Sequence, residues 1–76
     1  MTWNPKNLVL QCQGCQSFPW QLFEYTSMAD EENISADQYV WENEGTLNRD
    51  NGHFLCTDCY VKAGMPTSSG EGWKCP

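Results

Sequence analysis

Basic charge is scarce in this chain: four Lys and Arg side chains stand against ten Asp and Glu, for a formal net charge of −6 with histidine neutral. Binding along a nucleic acid draws on cations that neutralise successive phosphates, and only Lys6, Arg49, Lys62 and Lys74 are available for that. Direct nucleic-acid binding is therefore not expected. Long apolar runs are also missing. No stretch approaches the ~20 residues of a membrane span, and no basic start leads into an apolar run and a small-residue cleavage site, so neither membrane insertion nor export is expected. On that reading the sequon Asn33-Ile34-Ser35 is a chance match. Histidine occurs once, as His53, which leaves little for general acid–base chemistry and predicts no enzymatic activity.

Five cysteines in 76 residues are the opposite extreme. A chain of this length sits where an apolar core alone gives marginal stability, and a covalent or metal staple is expected. Four of the cysteines fall in two short pairs, Cys12-Gln13-Gly14-Cys15 and Cys56-Thr57-Asp58-Cys59, with forty residues between them. A Cys-x-x-Cys turn bends both sulfurs onto one point, so each pair supplies half of a tetrahedron. Soft thiolates at tetrahedral corners favour Zn²⁺ or Fe over hard cations. The odd total and the close spacing within each pair fit a disulfide framework poorly, which predicts a reducing, cytoplasmic setting. One structural Zn²⁺ held by Cys12, Cys15, Cys56 and Cys59 is the expectation, with Fe as the alternative. Four thiolates and one Zn²⁺ would move the net charge from −6 to −8. Such a surface suits a protein partner with a basic patch.

Along the chain, Leu8-Val9-Leu10 reads as a short strand entering the first knuckle, where Gly14 would supply permissive backbone angles. The alternation Phe18, Trp20, Leu22 reads as a second strand, at a sheet edge because Pro19 cannot donate to a ladder, and Trp20 reads as core. Met28 to Gln38, with Asp30, Glu31, Glu32 and Asp37, reads as an exposed acidic loop. Residues 36–44 fit either a helix capped by Ser35 with Ala36, Tyr39 and Val40 inward, or a strand. Asp50-Asn51-Gly52 reads as a type I′ hairpin turn delivering His53-Phe54-Leu55 as a strand into Cys56. A short helix over Tyr60 to Ala63 follows, ended by Gly64, with Cys59 in its first turn. A single domain over 1–64 is expected, with a mobile Gly/Ser/Pro-rich tail over 65–76 carrying a free Cys75.

Phe54-Leu55-Cys56-Thr57-Asp58-Cys59-Tyr60-Val61-Lys62 resembles the second half of a LIM- or GATA-type zinc finger, and Leu10-Gln11-Cys12-Gln13-Gly14-Cys15 resembles its leading zinc knuckle. The resemblance implies a small, metal-stabilised α+β fold of treble-clef or zinc-ribbon type: knuckle, β-hairpin, short C-terminal helix, here with an inserted acidic segment. It implies the same four cysteine ligands. The basic residues that GATA-type fingers use on DNA are missing, whereas LIM-like fingers act as protein-interaction platforms, which agrees with the charge. Rubredoxin-like electron carriers also build one iron site from two such pairs, but with glycine where this chain has Gln16 and Tyr60. Thioredoxin-type redox chemistry needs a larger βαβ scaffold, and a His-Asn-His nuclease needs a base that His53, beside a turn, is poorly placed to be. Of the four tryptophans, Trp41, amid Glu42 and Glu44, and Trp73 are the expected partner contacts.

Overall fold

The computed structural model describes residues 3–67 and 72–76. Its elements run β1 (Gln11–Cys12), a 3₁₀ turn (Pro19–Gln21), α1 (Phe23–Glu32), α2 (Ala36–Asn43), β2 (His53–Phe54) and α3 (Thr57–Lys62). The result is a small α+β unit. Its two strands pair in parallel, with Gln11 opposite His53 and Cys12 opposite Phe54. Parallel strands need a crossover, and α1 and α2 supply it. Because both strands point the same way, each delivers its Cys-x-x-Cys turn to the same end of the ribbon.

Several local expectations change for identifiable reasons. The segment Leu8 to Leu10 approaches β1 but does not pair, and the strand itself is Gln11–Cys12. Phe18, Trp20 and Leu22 do not form a strand. Pro19 opens the 3₁₀ turn instead, with the Phe18 amide donating to the Gln21 side chain at 2.9 Å. Past that turn Leu22, Tyr25 and Ala29 fall on one face of α1, at the spacing a helix needs. Most of the stretch expected as an acidic loop is therefore the second half of α1 and the start of α2. Asn33 ends α1 in the left-handed conformation (φ 56°), and the Ile34 amide returns to the Ala29 carbonyl at 3.0 Å. Residues 36–43 are helical: the Ser35 hydroxyl accepts from the Gln38 amide at 3.1 Å, with Ala36 and Val40 buried.

The Asp50–Gly52 segment turns the chain, yet no antiparallel hairpin follows it among the described residues. The Gly52 amide donates to the Asn48 carbonyl, and the Gln11 amide donates to Gly52. Gly52 alone takes positive φ there (82°), and a Cβ on it would lie 2.5 Å from the Val9 carbonyl oxygen. Glycine thus lets the incoming strand lie against the segment before β1.

The core gathers Leu10, Tyr25, Ala29, Val40, Leu47, Phe54 and Leu55 around the strand pair. Phe54 meets Tyr25 edge-on, with centroids 5.7 Å apart. The Tyr25 hydroxyl donates to Glu44, whose other oxygen accepts from the amide and hydroxyl of Thr46. Thr46 in turn bridges the amide and carbonyl of Leu55. Residues 72–76, within the stretch expected as a mobile tail, return to this core. The Cys75 amide donates to Thr46, Asn48 donates to the Cys75 carbonyl, and Cys75 is 3 % exposed. Residues 68–71 of that stretch lie outside the described residues. No helix among the described residues is long and apolar enough to cross a membrane.

Candidate metal centre

The parallel register sets the site. Cys12 ends β1 and Cys56 lies two residues beyond its partner Phe54, so the knuckles face each other across the end of the ribbon. In the first knuckle the Cys12 amide donates to the Ser17 carbonyl and the Gln16 amide returns to the Cys12 carbonyl, both at 2.9 Å. The reversal places Gln16 at φ 62°, a conformation more easily taken by glycine. Gly14, by contrast, is not at positive φ, so the expectation that it serves backbone angles is replaced by a steric reason. A Cβ at Gly14 would stand 2.5 Å from both Cβ and Sγ of Cys59. Glycine is there so that the two knuckles can close on one another.

In the second knuckle Cys56 is the N-cap of α3 and Cys59 its third residue, so that Cys59 lies in the first turn as the sequence suggested. The helix begins at Thr57, three residues ahead of the expected start, because Glu24 of α1 reaches its first turn. That carboxylate accepts from the Thr57 hydroxyl at 2.6 Å and from its amide at 3.4 Å. Glu24 was not legible as a site residue: its partner lies 33 positions away.

Sγ of Cys12, Cys15, Cys56 and Cys59 all lie within 4.8 Å of one another. A tetrahedral ion with M–S bonds of ~2.3 Å needs sulfurs about 3.8 Å apart, so the group fits a metal with only a small contraction. The donors are graded in exposure: Cys12 and Cys56 buried, Cys59 intermediate, Cys15 exposed. The Cys56 amide donates to the Cys12 sulfur at 3.4 Å. Hydrogen bonding by the side chain and backbone of Ser17 lowers the Cys15 thiol to about 7, while burial raises the Cys56 and Cys59 thiols. Bare, such a cluster resists collecting four negative charges. A divalent metal removes that resistance by displacing the protons, and thiolate softness restricts the choice to zinc- or iron-like ions.

Other residues singled out in the sequence lie elsewhere. His53 is not in the cluster; its Nδ1 is 2.7 Å from the Pro76 carbonyl oxygen. Cys75 is buried outside the four-sulfur group, and burial pushes its thiol up. Trp41 meets Trp3 at 6.1 Å and carries the Arg49 guanidinium over its ring at 5.2 Å. Trp73 packs beside Tyr60. Trp20, read as core, is 61 % exposed, and Phe23 is 82 % exposed. Comparison with protein-family models, with curated proteins and with solved structures gives no match, so the reading of this centre rests on its own donors and geometry.

Proposed function

We propose that this protein is a zinc-stabilised protein-interaction module, in which Cys12, Cys15, Cys56 and Cys59 hold one structural ion and the acidic surface meets a partner with a basic surface. The observation that carries the metal half is the four-sulfur cluster with all donor atoms inside 4.8 Å. All four corners come from the chain, which leaves no open position for substrate or water and supports a structural ion. A knuckle of LIM- or GATA-like character remains the reading its sequence supports best. The interaction half draws on the net charge of −6 and on large apolar side chains left at the surface, among them Val9, Trp20, Phe23 and Met28. Catalysis is not part of this reading, and the proposed setting is a reducing, cytoplasmic one.

Native mass spectrometry of the purified protein tests the first half, with one Zn²⁺ per chain expected. A red, iron-loaded protein would instead favour a rubredoxin-like electron carrier. For the second half, photo-crosslinking in the native host should capture a protein that, once purified, forms a stoichiometric complex. Failure of every captured candidate to reconstitute would remove that half and leave the metal assignment standing.

A further inference from the structure

Between the segment ahead of β1, the 3₁₀ turn and the first turn of α2 lies a groove of about 230 Å³, lined by Leu8, Val9, Leu10, Phe18, Trp20 and Asp37. Its size suits one side chain rather than a whole small-molecule ligand, whose pockets run ~300–1,000 Å³. Two observations say what kind of side chain. First, the walls are apolar and aromatic and unusually open: Val9 is 68 % and Trp20 61 % exposed, and Phe18 stacks parallel to Trp20 at 5.6 Å. That stack holds the indole in place without covering it. Second, the groove's only charge is Asp37, a half-buried carboxylate with no hydrogen bond or ion pair among the described residues. A place in the first turn of α2 explains an acidic residue, but not its setting among apolar walls. Burial pushes the Asp37 carboxyl above its ordinary value, so the group stands to gain from a cation.

Three of the chain's four Lys and Arg side chains are engaged elsewhere. Lys6 pairs with Asp50 at 3.2 Å, Arg49 lies over Trp41 and donates to its carbonyl, and Lys74 donates to Gly45. Lys62 sits in the last turn of α3. A second copy of a chain carrying −6 would meet repulsion, and so would a phosphate backbone. What remains complementary is a cationic segment of another protein. Arginine fits better than lysine because its planar guanidinium can lie on an indole face while its edge pairs with a carboxylate. One turn along α2 from Asp37, this chain already uses the first half of that chemistry, with Arg49 over Trp41.

We propose that the groove docks an arginine of a basic partner segment, with the guanidinium paired to Asp37 and the stem laid against Trp20 and Val9. This rests on the interaction reading above and specifies where on the molecule it happens. The probe is an acetylated, amidated Ala-Leu-Arg-Leu-Ala peptide, titrated into the ¹⁵N-labelled, metal-loaded full chain. Saturable shifts are expected at the Trp20 indole N–H and at the Asp37 amide, with little change at Trp41 or at the acidic end of α1. Asp37→Asn should weaken binding about tenfold, the loss expected for a hydrogen bond to a charged group at a half-buried position. The same loss is expected when glutamine replaces the peptide's arginine. Trp20→Ala should weaken binding with an unchanged far-ultraviolet spectrum, since the ring is mostly exposed. If the peptide binds but shifts spread along the acidic surface and Asp37→Asn binds like the parent, the groove is overturned and a diffuse interaction surface remains. If no saturable shift occurs, the groove is overturned too, and the wider interaction reading then stands or falls on the reconstituted complex.

Discussion

Glycine at position 14 is needed for space rather than for angle, and that distinction can be tested. A methyl group there would meet Cβ and Sγ of Cys59 at 2.5 Å, and neither atom can swing away while the sulfur is held on a metal. Gly14→Ala should therefore weaken metal binding by about 1–3 kcal/mol, the usual penalty for overpacking a closed site. Competition against a chromophoric chelator measures it. Gly45→Ala is the matched control, because nothing lies within 4 Å of the added carbon. Tyr25 makes a second residue-scale prediction. Burial, reinforced by its hydrogen bond to Glu44, raises its phenol above the ordinary value of 10.0. The folded protein holds a proton that the unfolded chain gives up. This contribution is fully present below pH 10.0 and is lost as pH rises beyond it. Denaturant midpoints taken at rising alkaline pH should fall for the parent and fall less for Tyr25→Phe.

Among the elements, those with a local signal could be read from the sequence and those with a distant cause could not. Ser35 ahead of Ala36 and Val40 is a cap followed by a helical stripe, one of the two readings open for residues 36–44, and α2 takes that one. Ser35→Ala should cost about 1 kcal/mol in a denaturant melt, since the Gln38 amide loses its acceptor. Phe18, Trp20 and Leu22 misled because Pro19 converts their alternation into a 3₁₀ turn, whose rings stack outward rather than filling a sheet. The Asn51-Gly52 turn was legible as a turn. Its outcome as a parallel pair depended on β1, more than forty residues earlier, and no local rule reaches that far. The four clustered cysteines were legible as a group because Cys-x-x-Cys is self-contained chemistry, whereas Glu24 capping α3 depends on tertiary placement. The acidic end of α1 remains locally unfavourable: Asp30, Glu31 and Glu32 occupy the negative pole of a helix with no basic residue in its last turn. Replacing Glu32 with Gln should stabilise the protein by about 0.3–1 kcal/mol at low salt, and added salt should erase the gain.

At the scale of the whole molecule, the two knuckles are joined by a short backbone ladder, by the Cys56 amide on the Cys12 sulfur and by the four-sulfur cluster itself. The sheet is a single pair of two-residue strands, and α3 is six residues long, well under the length at which a helix persists alone. Both knuckles rest on these short elements, so the parallel register is only as stable as the closure at its end. Binding of a structural Zn²⁺ is worth about 10–16 kcal/mol, against ~5–15 kcal/mol of net stability for an ordinary domain. Chelation should thus do more than empty a site. It should remove most of the helical circular dichroism and shift tryptophan emission to the red, since Trp3 and Trp41, packed against the core, would enter water together. Re-adding Zn²⁺ under reducing conditions should restore both signals. Acid should act in the same direction, because each sulfur released from the metal takes up a proton and affinity falls as pH falls. Cys56→Ser should reproduce the chelated state at neutral pH, as it removes a buried corner. An unchanged spectrum after verified loss of the metal would mean that the apolar core around Phe54 holds the fold alone, and that the four sulfurs do not maintain the structure.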